Sequence, residues 1–314
     1  MKAAIVQRAG EAPIFGEFAE PRPDPGERLI RVTAAALSPL SRARASGTHY
    51  SSSGAIPFVP GVDGTGRLED GRRVYFLLPR APFGAMAEAT VVPDAQWLPL
   101  PDGLDDAAAA AIANPGMSSW AALLERARFR AGETVLVNGA TGASGRLAVQ
   151  IARHLGAGKV IATGRDAETL AALGADAAIS LAGDAEAIEA RFRQHFAQGI
   201  DIVLDYLWGM SAERLLIAGA KAGAERRPIR FVQIGTASGA EISLPGAVLR
   251  SSSIALMGSG LGSVALDRLI AAVGGVLQAA AGGGLTLAKR IVPLSDVERA
   301  WQEEDRQRTV FTLG

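Results

Sequence analysis

Residues 134–156 read TVLVNGATGASGRLAVQIARHLG: an apolar run, three glycines at three-residue spacing, then a stretch with helical periodicity. The run TVLVNG suits a strand buried on both faces, as strands of parallel sheets are. Leu147, Ile151 and Leu155 recur at i, i+4 and i+8, which predicts an amphipathic helix closed by Gly156. A second apolar run, KVIATG at 159–164, completes a strand–helix–strand unit. Such a unit requires a right-handed crossover and a sheet covered by helices on both faces. Few features of the chain restrict its fold as strongly.

The glycines between strand and helix have a physical purpose in that setting. Gly139 allows a tight reversal after the strand. Gly142 has no Cβ, so a diphosphate can approach the backbone, and Gly145 lets the helix pack close to the sheet. The helix N-terminus supplies free N–H groups and positive partial charge. Thr141, Gly142, Ala143, Ser144 and Gly145 are therefore candidate cofactor contacts, with hydroxyls from Thr141 and Ser144. The alternative is a plain turn in an α/β protein that binds no nucleotide. The end of the second strand bears on the cofactor: a carboxylate there accepts from the ribose of NAD, and a basic group holds the 2′-phosphate of NADP. The sequence has Gly164 and Arg165, and a planar guanidinium suits phosphate. Asp166 follows and is a natural N-cap for AETLAAL. NADPH is the expected cofactor. Asp205, with Tyr206, ends the strand IDIVLDYL, and Gly235 and Thr236 follow the strand IRFVQ. Both pairs fall at carboxyl ends of strands, where doubly wound sheets bind ligands. The Gly-Lys of GAGKV at 156–160 has no Ser or Thr after it and opens a strand, so it is no P-loop.

The unit sits mid-chain within alternating strands and helices over about 117–257. Residues 1 to about 115 differ in character. They carry short β-prone runs (KAAIVQ, RLIRVTAAAL, GRRVYFLL, AEATVVP) bounded by turns such as PRPDPGE. DGLDDAAAAAIANPG then predicts a helix capped by Asp102 or Asp105, with Pro115 and Gly116 expected to end it. A second helix is expected over Met117–Arg128. The tail adds a helix, the strand KRIVPL, a short helix and the strand RTVFTL.

Four passages and the closing strand resemble the medium-chain dehydrogenase/reductase superfamily, in its zinc-free quinone oxidoreductase branch. FVPGVDGTG is similar to the family's Pro-Gly-x-Glu-Gly-x-Gly segment. GAMAEATVVPDAQWLPLPDGLDDAAAAAI resembles the lead into its cofactor domain, NPGMSSWAAL its Thr-Ala-Tyr stretch, and VLVNGATGASGRLAVQIARHLGAGKVIAT its cofactor turn. The resemblance spans essentially the whole chain. It implies an α/β architecture: a Rossmann doubly wound parallel sheet (117–257) inserted in a β-rich, GroES-like catalytic domain (1–116 and 258–314). It implies an NADPH-dependent reductase of quinones or α,β-unsaturated carbonyls. An enoyl-thioester reductase is the alternative suggested by Asn114-Pro115, and a non-catalytic NADPH-binding protein is the alternative of another class. Where zinc-dependent relatives carry ligands, this chain has Ser38, Val62 and Asn114, and it contains no cysteine. Without a Lewis acid, hydride transfer to an already electrophilic conjugated carbonyl remains feasible, whereas alcohol oxidation loses its alkoxide stabiliser.

The resemblance places Ser38, Tyr50 and Asn114 at the substrate pocket, and Asn114 and Ser118 at the nicotinamide. Tyr50 is the candidate proton donor, with His49 beside it as a competitor and an exposed loop tyrosine as the plain alternative. The remaining histidines, His154 and His195, have no partner at ligand spacing. Lysine plus arginine (32) balances aspartate plus glutamate (32), which gives no reason to expect nucleic acid or an anionic membrane as partner. No run has transmembrane length and no signal peptide is evident, so a cytoplasmic protein is the default. A homodimer through 250–257 is expected, because RSSSIALMGS reads as an apolar edge strand that needs cover.

Overall fold

The computed structural model describes residues 1–48, 52, 56–222, 228–303 and 307–313. The chain divides into two compact units, Met1–Asn114 with Leu277–Gly314, and Pro115–Val276.

The first unit contains strands β1 (Lys2–Ile5), β2 (Ile14–Glu17) and β3 (Glu27–Ala36), then helix α1 (Pro39–Ala45). Strands β4 (Asp63–Arg67), β5 (Arg73–Leu77), β6 (Ala89–Pro93) and β7 (Trp97–Pro99) follow. The sequence reading did not anticipate α1. Pro39 at its first turn and Ser38 as N-cap explain it, since the Ser38 hydroxyl accepts from the Ser41 N–H at 2.9 Å.

Helix α2 (Asp106–Ala121) crosses the boundary between the units. Asp105 caps it, accepting from the Ala108 N–H at 2.8 Å. The sequence expectation of a stop at Pro115 and Gly116, with a separate helix from Met117, is corrected: one helix runs through both residues. Proline costs one helical hydrogen bond there. Packing offsets it, because a Cβ on Gly116 would lie 2.7 Å from the Val276 side chain and 3.5 Å from Ile151.

The second unit alternates β8 (Thr134–Asn138), α3 (Ala143–His154), β9 (Lys159–Gly164), α4 (Ala167–Ala172), β10 (Ala177–Ser180) and α5 (Ala185–Phe196). It continues with β11 (Ile202–Asp205), α6 (Gly209–Ala222), β12 (Ile229–Gln233), α7 (Gly246–Arg250) and β13 (Ile254–Gly258). All pairings are parallel, in the order β10-β9-β8-β11-β12-β13. Val135, Leu136, Val137, Ile161, Val203 and Leu204 are fully buried, as two-sided coverage requires. The strand order reverses between β8 and β11, which defines a switch point there.

After α8 (Leu266–Ala281), strands β14 (Lys289–Pro293) and β15 (Arg308–Thr312), with the short α9 (Val297–Gln302) between them, return to the first unit. There β15 pairs antiparallel with β3 at Val310–Ala36 and Phe311–Ala35. The seven-stranded sheet thus joins the beginning and end of the chain, and Phe76, Phe311, Ile30 and Met86 fill its core.

Candidate functional site

The glycine turn lies at the carboxyl end of β8, at the switch point. Gly139 takes φ +90°, a left-handed conformation that glycine adopts without strain. A Cβ on Gly145 would lie 2.2 Å from the Gly139 carbonyl oxygen, so helix and turn meet only because none is present. Gly142 is the N-cap of α3; it provides no side-chain cap, and nothing lies within 4 Å of where its Cβ would be. The first N–H groups of α3 therefore have no side-chain cap. A helix start of this kind can receive a diphosphate. The Ser144 hydroxyl, half-buried beside it, has no partner among the described residues.

Beneath the turn lies a buried polar network that the sequence reading missed. Asn138 Nδ2 donates to Asp205 Oδ1 at 2.8 Å and to Ser211 Oγ at 3.0 Å. Thr163 Oγ1 donates to Asn138 Oδ1 at 2.7 Å and accepts from the Gly139 N–H at 3.1 Å. Asp205 also accepts from the N–H groups of Leu207 (3.0 Å) and Trp208 (3.2 Å). Burial pushes its carboxyl above the ordinary range, and the bonds from Asn138, Leu207 and Trp208 oppose that rise. The Asp205 side chain is fully buried and engaged by these donors. Only the parallel register, which sets Asn138 opposite Asp205, makes the network visible.

On the other flank, β9 ends at Gly164, whose Cβ would lie 2.5 Å from the Thr141 methyl carbon. Thr141 thus covers the strand end, and its carbonyl accepts from Arg146 Nε at 2.9 Å. Arg165 follows, exposed and without a hydrogen bond or ion pair to any described residue. Asp166 caps α4, accepting from the Thr169 N–H at 2.7 Å. At β12, a Cβ on Gly235 would lie 2.6 Å from the Tyr206 carbonyl oxygen, and Thr236 is exposed beyond it. Ser118 donates to the Pro115 carbonyl at 2.7 Å and lies 3.4 Å from the Tyr206 hydroxyl. Removal from water pushes the Tyr206 phenol up to about 12, opposed by its contacts with Ser118 and Ser119. The second unit therefore gathers Thr141–Gly145, Gly164, Arg165, Asp205, Tyr206 and Gly235 along one sheet edge.

The first unit holds Asn114, Ser38 and Val62. Asn114 Nδ2 donates to Asp63 Oδ1 at 2.9 Å, and the Tyr75 hydroxyl donates to Asp63 Oδ2 at 2.9 Å. Burial raises the Asp63 carboxyl, and Asn114, the nearby Arg308 charge and Tyr75 counteract it. Ser38 Oγ bonds Ser41 Oγ at 2.9 Å, so its hydroxyl is spent within α1. A cavity of about 210 Å³ opens beside this helix, lined by Ser41, Arg44, Phe58, Val62, Phe83 and neighbours. His49 and Tyr50 lie outside the described residues. Among the described residues, no three His, Cys, Asp or Glu side chains cluster as metal ligands would, and no helix is long and apolar enough to cross a membrane.

No family model matches the chain. A probable NADPH-dependent quinone reductase of Emericella nidulans is 32% identical, over 97% of each chain. A quinone oxidoreductase of Thermus thermophilus, solved also in complex with NADPH, is 31% identical, with a TM-score of 0.81 over the full length of both. A mycobacterial quinone oxidoreductase shares the fold, with a TM-score of 0.86 at 24% identity and full coverage of both.

Proposed function

From the premise that the chain belongs to the quinone oxidoreductase, zeta-crystallin-like branch of the medium-chain dehydrogenase/reductase superfamily, we propose a zinc-independent reductase of quinones or α,β-unsaturated carbonyls. The chain is an NADPH-dependent oxidoreductase. The observation that carries the reading is the Gly139–Gly145 turn at the switch point, with an uncapped helix behind it and a free guanidinium at the end of the next strand.

NADPH, when bound, supplies a hydride. The chain's part is to bind, orient and manage the proton. The N–H groups at the start of α3 and the Ser144 hydroxyl would receive the cofactor's diphosphate, and Arg165 the 2′-phosphate on its ribose. Asp205 acts indirectly: through Asn138 and Thr163 it holds the backbone of the turn. Asp63 orients Asn114 in the same manner, fixing which amide atom faces outward.

Reduction of a quinone or enone consumes one hydride and one proton. Tyr50 is the proposed proton donor to the carbonyl oxygen, and Asn114, with Ser38 serving as wall because its hydroxyl is held by Ser41, completes the acceptor side. Zinc independence is supported by Val62, whose side chain has no donor atom, and by the absence of cysteine. We also propose a homodimer through 250–257. Strand β13 ends the parallel sheet, and Ile254, Leu256 and Met257 are only partly buried on it.

The test is NADPH oxidation by the purified protein with small quinones, enones and enoyl thioesters. Turnover with a small quinone, unaffected by a metal chelator, is expected. Turnover with enoyl thioesters alone would select that narrower activity, and no oxidation with any acceptor would reject the reading.

A further inference from the structure

The 210 Å³ cavity has one charged group on its described wall, Arg44, in the last turn of α1. Its neighbour Arg42 is fully engaged: it donates to the carbonyls of Trp301 and Glu303 and stacks on the Trp301 ring at 5.5 Å. Arg44 is different. Its guanidinium makes no hydrogen bond or ion pair with any described residue, and no Asp or Glu among the described residues lines the cavity. The rest of the wall is apolar (Phe58, Val62 and Phe83 among it), apart from the hydroxyls of Ser41 and Ser52. Ser41 already bonds Ser38, and Ser52 donates to the Arg44 carbonyl at 3.4 Å.

A half-buried cation without a counter-charge is costly unless something compensates it. Burial lowers the guanidinium from its ordinary value, and it remains charged all the same. The helix C-terminus compensates only a small part of this, and Arg42 serves that end equally. A group absent from the chain is the natural counter-charge. The forked donors of arginine match a planar oxyanion in two-point fashion. The volume exceeds that of an apolar cavity of about 150 Å³ that accepts benzene, so one substituted ring fits.

We propose that the cavity binds the acceptor's ring and that Arg44 pairs with one anionic oxygen group on it, a carboxylate or an ionised hydroxyl. The enzyme's preferred acceptors are then singly charged, one-ring carbonyl compounds. That the ligand is the acceptor rests on the quinone or enone reductase reading; the anion subsite itself does not need it.

Calorimetric titration of the wild-type protein separates the two. Benzoate is expected to bind at least about tenfold more tightly than its neutral isostere benzamide, about 1.4 kcal/mol. 4-Nitrophenolate set against 4-nitroanisole tests the ionised hydroxyl as the source. Arg44→Met is expected to erase the benzoate preference, while Arg44→Lys keeps part of it as a point charge; thermal melts verify that both variants are folded. In turnover, the kcat/KM ratio of a carboxylated to an uncharged benzoquinone is expected to fall about tenfold in Arg44→Met. Equal affinities for both members of both pairs in the wild type overturn the proposal. So does a preference that survives Arg44→Met. Benzoate preference without NADPH oxidation by any acceptor would remove the reductase reading and keep the subsite.

Discussion

Arg165 and Arg44 are both cations without partners among the described residues, yet only one was legible in the sequence. Arg165 stands out in the sequence because it follows a strand that follows a glycine turn, a position with a known electrostatic task. Arg44 belongs to no such pattern. Its isolation is a fact of three-dimensional neighbours, namely a helix with its other arginine engaged and a wall without carboxylates. Arg165→Ala is expected to raise KM for NADPH at least about tenfold, the loss of one charge-assisted pair, with a much smaller change for NADH. Equal effects on both cofactors in steady-state kinetics would detach Arg165 from the 2′-phosphate. Gly145→Ala puts a methyl group 2.2 Å from the Gly139 carbonyl oxygen, against backbone that cannot rotate away. Overpacking of this kind costs about 1–3 kcal/mol. A lowered melting temperature and weakened NADPH binding are expected together.

At the level of elements, periodicity and caps were readable, and tertiary packing was not. Asp105 caps α2 and Asp166 caps α4 as their spacing suggested. The run through Pro115 escaped the sequence, because the side chains of Val276 and Ile151, which fill the missing Cβ position of Gly116, are far along the chain. The same distance hid the tie from Asn138 to Asp205, 67 residues apart, and the tie from Asn114 to Asp63, 51 apart. Asp205→Ala leaves Asn138 and the Leu207 and Trp208 N–H groups without their acceptor in a buried setting. Unsatisfied buried donors cost about 1–3 kcal/mol each. Loss of stability is therefore expected alongside a raised KM for NADPH, since the glycine turn loses its support. Helix α5 offers a pH effect. Burial, reinforced by the Lys159 charge, lowers His195 below its ordinary value of 6.5. The native state then binds its proton later than the unfolded chain does. This contribution to stability is present above 6.5 and is lost as pH falls through the folded value. His195→Gln is expected to flatten the acid limb of the melting-temperature profile between 6.5 and the folded value; an unchanged limb would reject the assignment.

For the whole molecule, the family resemblance reached the fold because its motifs are spread over the chain in a fixed order: Pro-Gly-Val-Asp-Gly in the first unit, the glycine turn in the second, and RTVFTL at the end. The cavity proposed for the acceptor was less legible. Its described wall draws on α1 and on loops around residues 58–62 and 79–83, short segments whose side chains converge only after folding. Association also belongs to this scale. Sedimentation at micromolar concentration is expected to give the mass of two chains, and Leu256→Lys on β13 is expected to give one. A monomeric wild type would remove the edge-strand interface.

The first unit is written in two parts, and this has a consequence for synthesis. Strand β3 leaves the ribosome long before its antiparallel neighbour β15, with the whole second unit made between them. The second unit, ending at Val276, is complete while β3 still lacks that neighbour. During translation the nascent protein therefore carries a finished second unit and an open sheet edge on the first, a surface that invites chaperones or misassembly until β15 arrives. NADPH binding to the second unit would then stabilise the nascent chain before β15 closes the first.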